Sequence, residues 1–297
     1  MSDVTSPPNA PLPAGELWPR IEAQTRHGIE CGALQSIPTH SDAIHDGGLK
    51  FIVRILANVA RKQQAKQKQA KAAADGKPFN PFLPYDRDLF VGNLSKTHLC
   101  LLNKYNVVDH HILVVTRAFE PQESWLNQRD FKAVGRCLAE VDGLVFYNGG
   151  PVAGASQRHK HLQLIPKNAA RVPIDAVMQF EQVDLPQMLP SLPFRHSAMG
   201  LSDLALGDDA DYLLQAYQKL LAAAGVAVSG EAQTEAYNLL FTRRWMLVVP
   251  RSQESFASIS VNALGFAGSL FVRDQPQLEQ LKTYGPMALL KQVAIAR

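Results

Sequence analysis

Hydrophobic residues recur at helical spacing most clearly between Asn127 and Gly143. Phe131, Val134, Leu138 and Val141 mark one face, Asp130 lies near the start and Gly143 marks the end. The same criterion predicts helices over 16–27, with Pro19 in the first turn, over 209–225, and from Pro276 to Ala296. Short apolar runs predict strands at 49–56, 89–94, 97–103, 110–116, 144–148, 159–165, 236–242, 245–250 and 258–261. Turn-forming residues fill His40 to Gly48, and Pro166 to Gly207 is a long irregular stretch without a clear period. The links between 97–103 and 110–116, and between 236–242 and 245–250, suit antiparallel pairs. Strands joined by short links and interrupted by helices predict an α+β fold with an antiparallel sheet and flanking helices.

One stretch, Asn148 to Pro166, carries the candidate chemistry. A loop with glycines at 149, 150 and 154 and the hydroxyl of Ser156 runs into the strand containing His159, His161 and Gln163. Side chains on a strand alternate between faces, so these three project the same way. The glycines let backbone N–H groups converge on an anion, and Arg158 and Lys160 are read as basic residues near it. Two histidines at this spacing could instead bind zinc, or be a polar face without chemistry. Glutamine is a poor metal ligand, so its place in the row points to a hydrogen bond with a phosphoryl oxygen, and no metal site is assigned. His98, His110 and His111 are read as supporting groups, since no ligand spacing ties them to a metal.

Composition narrows the class. A hydrophobic share of 46% and a charged share of 19% are those of a globular protein, and a net charge of +3 is too small for a nucleic-acid platform. The basic run at 61–77 has no interleaved aromatic residues on which bases could stack, which favours a solvated insertion over an RNA site. Cys31, Cys100 and Cys137 are widely spaced and form no C-x-x-C pair, so they are read as buried thiols of a cytoplasmic protein. Residues 1–15 lack the apolar core of a secretory signal and are assigned to a disordered segment. No uncharged apolar run reaches the length of a membrane span, so no membrane partner is expected.

The H-x-H-x-Q pattern at 159–163, with Gly154 to Gln157 just upstream, resembles the ATP adenylyltransferases, or diadenosine tetraphosphate phosphorylases, of the histidine-triad superfamily. Further blocks at 103–116, 237–242 and 262–273 occur in family order, so the resemblance covers most of 16–297, with a C-terminal portion from about 190. It implies a histidine-triad-like antiparallel sheet related to the galactose-1-phosphate uridylyltransferase branch. It also implies phosphorolysis of diadenosine tetraphosphate to ATP and ADP, reversibly, through an AMP–histidine intermediate. His161 would be the nucleophile, His159 its orienting partner and Gln163 the phosphate contact. The resemblance implies substrate binding by Lys50, Gly92, Asn93, Asn148, Gly154, Ala155, Ser156, Gln157, Asn262 and Arg273. No tightly bound cofactor is implied; a divalent cation such as Mg2+ would accompany the nucleotide. The partners are the dinucleotide, ATP, ADP and phosphate, with no nucleic acid. A hexose-1-phosphate uridylyltransferase and a non-catalytic nucleotide- or RNA-binding module remain the rival readings.

Overall fold

The alternation of core and polar positions along the strands is what builds the two sides of the main sheet. In the computed structural model, which describes residues 10–56, 80–167, 172–202 and 210–297, eight strands form one antiparallel sheet. In chain order they are β3 (Phe90–Asn93), β4 (His98–Leu102), β5 (Ile112–Thr116), β6 (Gly143–Gly149), β7 (His161–Pro166), β8 (Ser197–Gly200), β9 (Tyr237–Phe241) and β10 (Trp245–Pro250). Their spatial order is β3-β4-β5-β7-β6-β9-β10-β8, and every neighbouring pair is antiparallel. A smaller sheet has β1 (Thr39–Asp46) antiparallel to β2 (Leu49–Leu56), with β13 (Ser269–Val272) parallel to β2. The short strands β11 (Ser255–Phe256) and β12 (Ile259–Ser260) pair with each other.

Helices α1 (Leu17–Glu30), α2 (Gln128–Glu140) and α3 (Ala210–Ala223) cover one face of the large sheet. Leu17, Ile21, Phe131, Val134, Leu138, Leu213 and Leu220 meet the sheet residues Val114, Val145, Leu162, Leu164, Leu239 and Phe241 there. The opposite face is divided. Toward β9 and β10 it packs on the smaller sheet and on α4 (Ala263–Phe266), α5 (Gln275–Tyr284) and α6 (Pro286–Val293), with Leu144, Phe146, Ile165, Leu240 and Leu247 in that core. Toward β4 and β5 a separate cluster gathers Leu99, Leu101, Leu113 and Val115 under Phe82. His161 and Gln163 of β7 alternate with Leu162 and Leu164, so they emerge on the divided face between the two clusters.

Several boundaries differ from the sequence expectation, each for a local reason. The 127–143 helix starts after Asn127, whose side chain accepts the Arg129 N–H while Asp130 accepts the Asn127 N–H, and it ends at Glu140 because Val141 is extended. Gly143 therefore opens β6 instead of closing the helix. The C-terminal helix is two, broken between Tyr284 and Pro286 at Gly285, whose φ is +84°. The polar stretch after His40 is strand β1, whose outer face is solvated, and the irregular 166–207 region supplies edge strand β8. Residues 10–15 belong to the fold rather than to a loose segment: the Leu12 N–H bonds Asn93 O at 2.9 Å and its side chain packs on the core. The 61–77 run lies outside the described residues. Among the described residues no helix is long and apolar enough to cross a membrane.

Candidate active site

His161 sits where β7 leaves one neighbour and keeps the other. It still pairs with Val115 of β5, but the pairing of β6 with β7 stops at Phe146 and Gln163. The gap beyond is filled by a side chain, not by backbone. Gln122 accepts the His161 N–H on Oε1 at 2.9 Å, and its Nε2 donates to His161 O at 3.2 Å and Asn148 O at 3.0 Å. Gln122 is itself fixed, since its N–H bonds Arg158 O at 2.8 Å and its carbonyl accepts the Tyr147 hydroxyl.

The imidazole of His161 has a defined tautomer. Its Nδ1 lies 2.8 Å from the carbonyl oxygen of His159, and a carbonyl can only accept, so Nδ1 carries the hydrogen and Nε2 keeps its lone pair. Burial lowers the pKa to about 4, against the opposing pull of that hydrogen bond. The ring is thus neutral at physiological pH. Phe82 packs beside it at 5.4 Å between centroids.

His159 is engaged at both ring nitrogens. Nε2 donates to Thr116 O at 2.8 Å, and Nδ1 lies 3.0 Å from Nδ2 of Asn80. Burial lowers its pKa also. It offers a well-held backbone carbonyl to His161 rather than a free nitrogen. Gln163 Oε1 lies 3.0 Å from His111 Nε2, and His111 Nδ1 lies 3.1 Å from the Asn103 amide nitrogen. Burial is the main cause that lowers the His111 pKa to about 4; the Gln163 hydrogen bond opposes it and nearby His161 adds to it. Held through its oxygen, Gln163 has its amide nitrogen without a hydrogen bond among the described residues.

The loop after β6 is braced from beneath. Asn148 Oδ1 accepts from Asn238 Nδ2 at 2.8 Å and from the Ala263 N–H at 2.9 Å. Asn238 also donates to Ala153 O at 2.8 Å and accepts from Arg251 Nη1 at 2.6 Å. Arg251, 4% exposed, additionally donates to Val261 O at 2.9 Å and lies over the Phe266 ring at 5.3 Å; burial lowers its pKa to about 10. Gly154 has φ +89°, and a Cβ there would stand 2.8 Å from Asn262 Cβ, so both its conformation and its contact require glycine. Within the loop the Gly154 N–H bonds Pro151 O and the Ala155 N–H bonds Gly150 O. Among the described residues, the Ser156 and Gln157 N–H groups have no such internal partner, and the Ser156 side chain is exposed.

Lys160 does not serve the anion cradle. It immediately precedes β7, and alternation of the chain there turns it away from the His161 side; it is fully buried and its Nζ meets Asp130 at 2.7 Å, Trp125 O at 2.9 Å and Glu120 at 3.2 Å. Asp130 meets His98 at 2.9 Å through its other oxygen. Burial works to raise the Asp130 pKa, but the His98 hydrogen bond and Lys160 outweigh it, and the carboxyl stays below its ordinary value.

The Ap4A phosphorylase N-terminal domain matches residues 7–180, and the ATP adenylyltransferase C-terminal domain matches residues 190–296. The chain belongs to the Ap4A phosphorylase and ATP adenylyltransferase family. It is an enzyme of the nucleotidyltransferase class, in a family that acts on diadenosine tetraphosphate. It is 30% identical to diadenosine 5',5'''-P1,P4-tetraphosphate phosphorylase 2 of Saccharomyces cerevisiae over 246 residues, 73% of this chain and 76% of that one. Protein APA1 of the same yeast is 24% identical over 86% of each chain. The crystal structure of yeast Ap4A phosphorylase Apa2 in complex with Ap4A is 26% identical, with a TM-score of 0.80 over 94% of this chain and 97% of that one. The Apa2 complex with AMP has a TM-score of 0.79 at 26% identity over 95% of this chain and 97% of that one.

Of the residues that the family pattern singles out, the fold gathers His159, His161, Gln163, Asn148, Gly154 and Asn262 at the split between β6 and β7. Ala155, Ser156 and Gln157 continue the same loop. Asn262 backs Gly154 and also caps α4 by accepting the Leu264 N–H at 3.0 Å. Gly92 and Asn93 lie on edge strand β3, three strands or about 14 Å from β7, against residues 10–12. Lys50 is exposed on β2, and Arg273 is exposed beside Asp274 past the end of β13. Since β13 runs parallel to β2 with Val272 opposite Ile55, those two cations stand roughly 20 Å apart along the strands. A pocket lined by Arg54, Leu144, Ile165, Leu264 and Ser269 continues the face beyond Gln163.

Gln122, Asn238 and Arg251 were not singled out in the sequence. Asn238 carries a visible signal, a polar residue inside the apolar run 237–241, whereas Gln122 lies in an irregular segment and carries none.

Proposed function

We propose that the protein splits diadenosine tetraphosphate with inorganic phosphate into ATP and ADP, by two displacements through an adenylylated His161. The observation that carries this reading is the His161 ring itself, neutral and with Nδ1–H committed to His159 O. That leaves Nε2 as an unprotonated nucleophile on the face between the two apolar clusters. Nε2 attacks the phosphorus of one adenylyl group; a P–N bond forms, the P–O bond to the leaving chain breaks, and ATP departs. A phosphate oxygen then attacks the same phosphorus, the P–N bond breaks, and ADP departs with the ring restored to neutrality. Run backward, ADP adenylylates His161 with release of phosphate, and an oxygen of the terminal phosphate of ATP then takes the adenylyl group from the ring.

Charge shifts among the phosphoryl oxygens in both steps, so donors fixed beforehand lower the barrier more than donors that must reorganise. The Gln163 amide, held by His111, and the N–H groups of Ser156 and Gln157, which have no partner among the described residues, together with the Ser156 hydroxyl suit that role. Asn148, Gly154 and Asn262 hold the loop in place beneath them. We assign Gly92 and Asn93 to the nucleoside end of the substrate, and Lys50 and Arg273 to its outer phosphates. A divalent cation arriving with the nucleotide is assigned to the polyphosphate, because His159 and Nδ1 of His161 are already bonded. In this reading the sheet is of the histidine-triad type, in the branch that includes galactose-1-phosphate uridylyltransferase.

Mass spectrometry after incubation with diadenosine tetraphosphate and no phosphate tests the assignment. The expected result is a mass gain of one AMP mapped to His161, discharged as ADP when phosphate is added. Absence of the adduct, or its attachment to another residue, overturns it.

A further inference from the structure

Where α1 ends, three donor side chains from two elements meet, well apart from the histidine strand in the sequence. His27 lies in the last turn of α1 and Cys31 is its C-cap, one turn further, so the two share a helix face. Cys31 is exposed, contrary to the expectation of a buried thiol, whereas Cys100 and Cys137 are buried in the core. Asp88 comes from the 3-10 turn Arg87–Leu89 that precedes β3. Its carboxylate stands 2.8 Å from His27 Nε2, and one donor atom from each of His27, Cys31 and Asp88 lies within 4.8 Å of the other two.

The convergence is supported by the backbone. The Asp88 N–H bonds Asp86 Oδ1 at 3.1 Å, and its carbonyl accepts Gln24 Nε2 at 2.7 Å. A Cβ at Gly28 would already stand 3.0 Å from Leu34 Cβ and 3.6 Å from Asp88 O, so a longer side chain would wedge the turn away from the helix. The carbonyls of a helix's last turn also carry partial negative charge, which favours a cation at that end.

We propose that His27, Cys31 and Asp88 form a binding site for a divalent transition ion of the zinc class. Imidazole, thiolate and carboxylate are the donors zinc takes, at bonds of about 2.0–2.3 Å, and three protein ligands leave a fourth position for water. Donors on tetrahedral corners at those lengths stand roughly 3.3–3.8 Å apart. The His27–Asp88 hydrogen bond has to open slightly and the thiol has to close in, which side chains this exposed do by rotation. On binding, the sulfur–hydrogen bond of Cys31 gives way to a sulfur–metal bond and the proton leaves to water. The bound ion staples the end of α1 to the turn that leads into β3.

Cobalt(II) titration of the untagged full chain reads the site directly. The expected result is one equivalent bound, a tetrahedral visible spectrum and a thiolate-to-cobalt charge-transfer band, all displaced by zinc. Cys31→Ser removes the charge-transfer band. His27→Asn and Asp88→Asn weaken binding by at least the roughly tenfold that loss of even an outer partner costs. In the unsubstituted protein zinc also slows alkylation of Cys31 by iodoacetamide. A charge-transfer band that survives Cys31→Ser, an absent band, or an alkylation rate indifferent to zinc overturns the proposal. All three positions are exposed, so the variants keep the fold, and circular dichroism of each checks that.

Discussion

The side-chain amide of Gln122 holds His161 by both its backbone N–H and its carbonyl, at 2.9 and 3.2 Å, and bridges it to Asn148 O. Gln122→Ala removes these bonds and strands buried backbone groups, costing about 1–3 kcal/mol of stability. A small displacement of the nucleophile also lowers kcat, by up to about 100-fold, with KM little changed. Steady-state kinetics beside urea unfolding measure the two effects. An unaltered kcat in a variant of lowered stability rules out the positioning role.

Protonation of His161 sets the acid limb of the reaction. With a pKa of about 4, the ring stays nucleophilic as the pH falls from neutral, and the rate of AMP labelling holds until about pH 5 and then drops. A limb centred at the ordinary histidine value, about 6.5, contradicts this environment. His161→Ala abolishes labelling.

The same burial links stability to pH. His111 and His161 are both depressed to about 4, so between their unfolded value of about 6.5 and pH 4 the unfolded chain binds protons that the folded chain refuses. Stability is full above that window and declines through it as the pH falls. Denaturant unfolding at pH 7 and pH 5 detects the decline, and His111→Asn makes it shallower.

Gln163 and His111 act as a pair. Gln163→Ala loses a fixed donor to the transferring group and lowers kcat by about 100-fold or more while substrate still binds. His111→Ala leaves the donor but frees its orientation, and gives a smaller loss in the same direction. Single-turnover labelling of the two single variants and the double variant reads the coupling. Additive losses contradict the pairing.

Lys160 is held by charge, not used for substrate. Lys160→Met leaves Asp130 buried without its cation and costs about 3–5 kcal/mol, whereas Lys160→Met with Asp130→Asn costs less. KM for the dinucleotide stays the same in the folded fraction of either. A large rise in KM restores Lys160 to the phosphate site.

The histidine row was readable because side chains alternate along extended backbone: His161 and Gln163 share one face of β7, and His159 has the same parity in the extended residues just before that strand begins. That rule also puts Lys160 on the far side; reading it as a phosphate cation followed nearness in sequence rather than alternation. The α2 boundary was readable from Asn127 and Asp130 at its start but not at its end, where an extended Val141 stops the helix before the glycine. Gln122 was out of reach. Its partners lie 26 and 39 residues away, and the segment around it has neither period to locate it nor an element to aim it.

Strand β6 belongs to the first of the two matched family segments and β9 to the second, yet they pair from Val145 opposite Phe241 to Gly149 opposite Tyr237. A polypeptide cut between 180 and 190 would leave β6 with a bare edge at the centre of the sheet, and Asn148 parted from Asn238. The two segments are thus halves of one object, each lacking a wall that only the other provides. A change in the brace beneath the loop on one side leaves a partner on the other without its bond, so neither half is an exchangeable module.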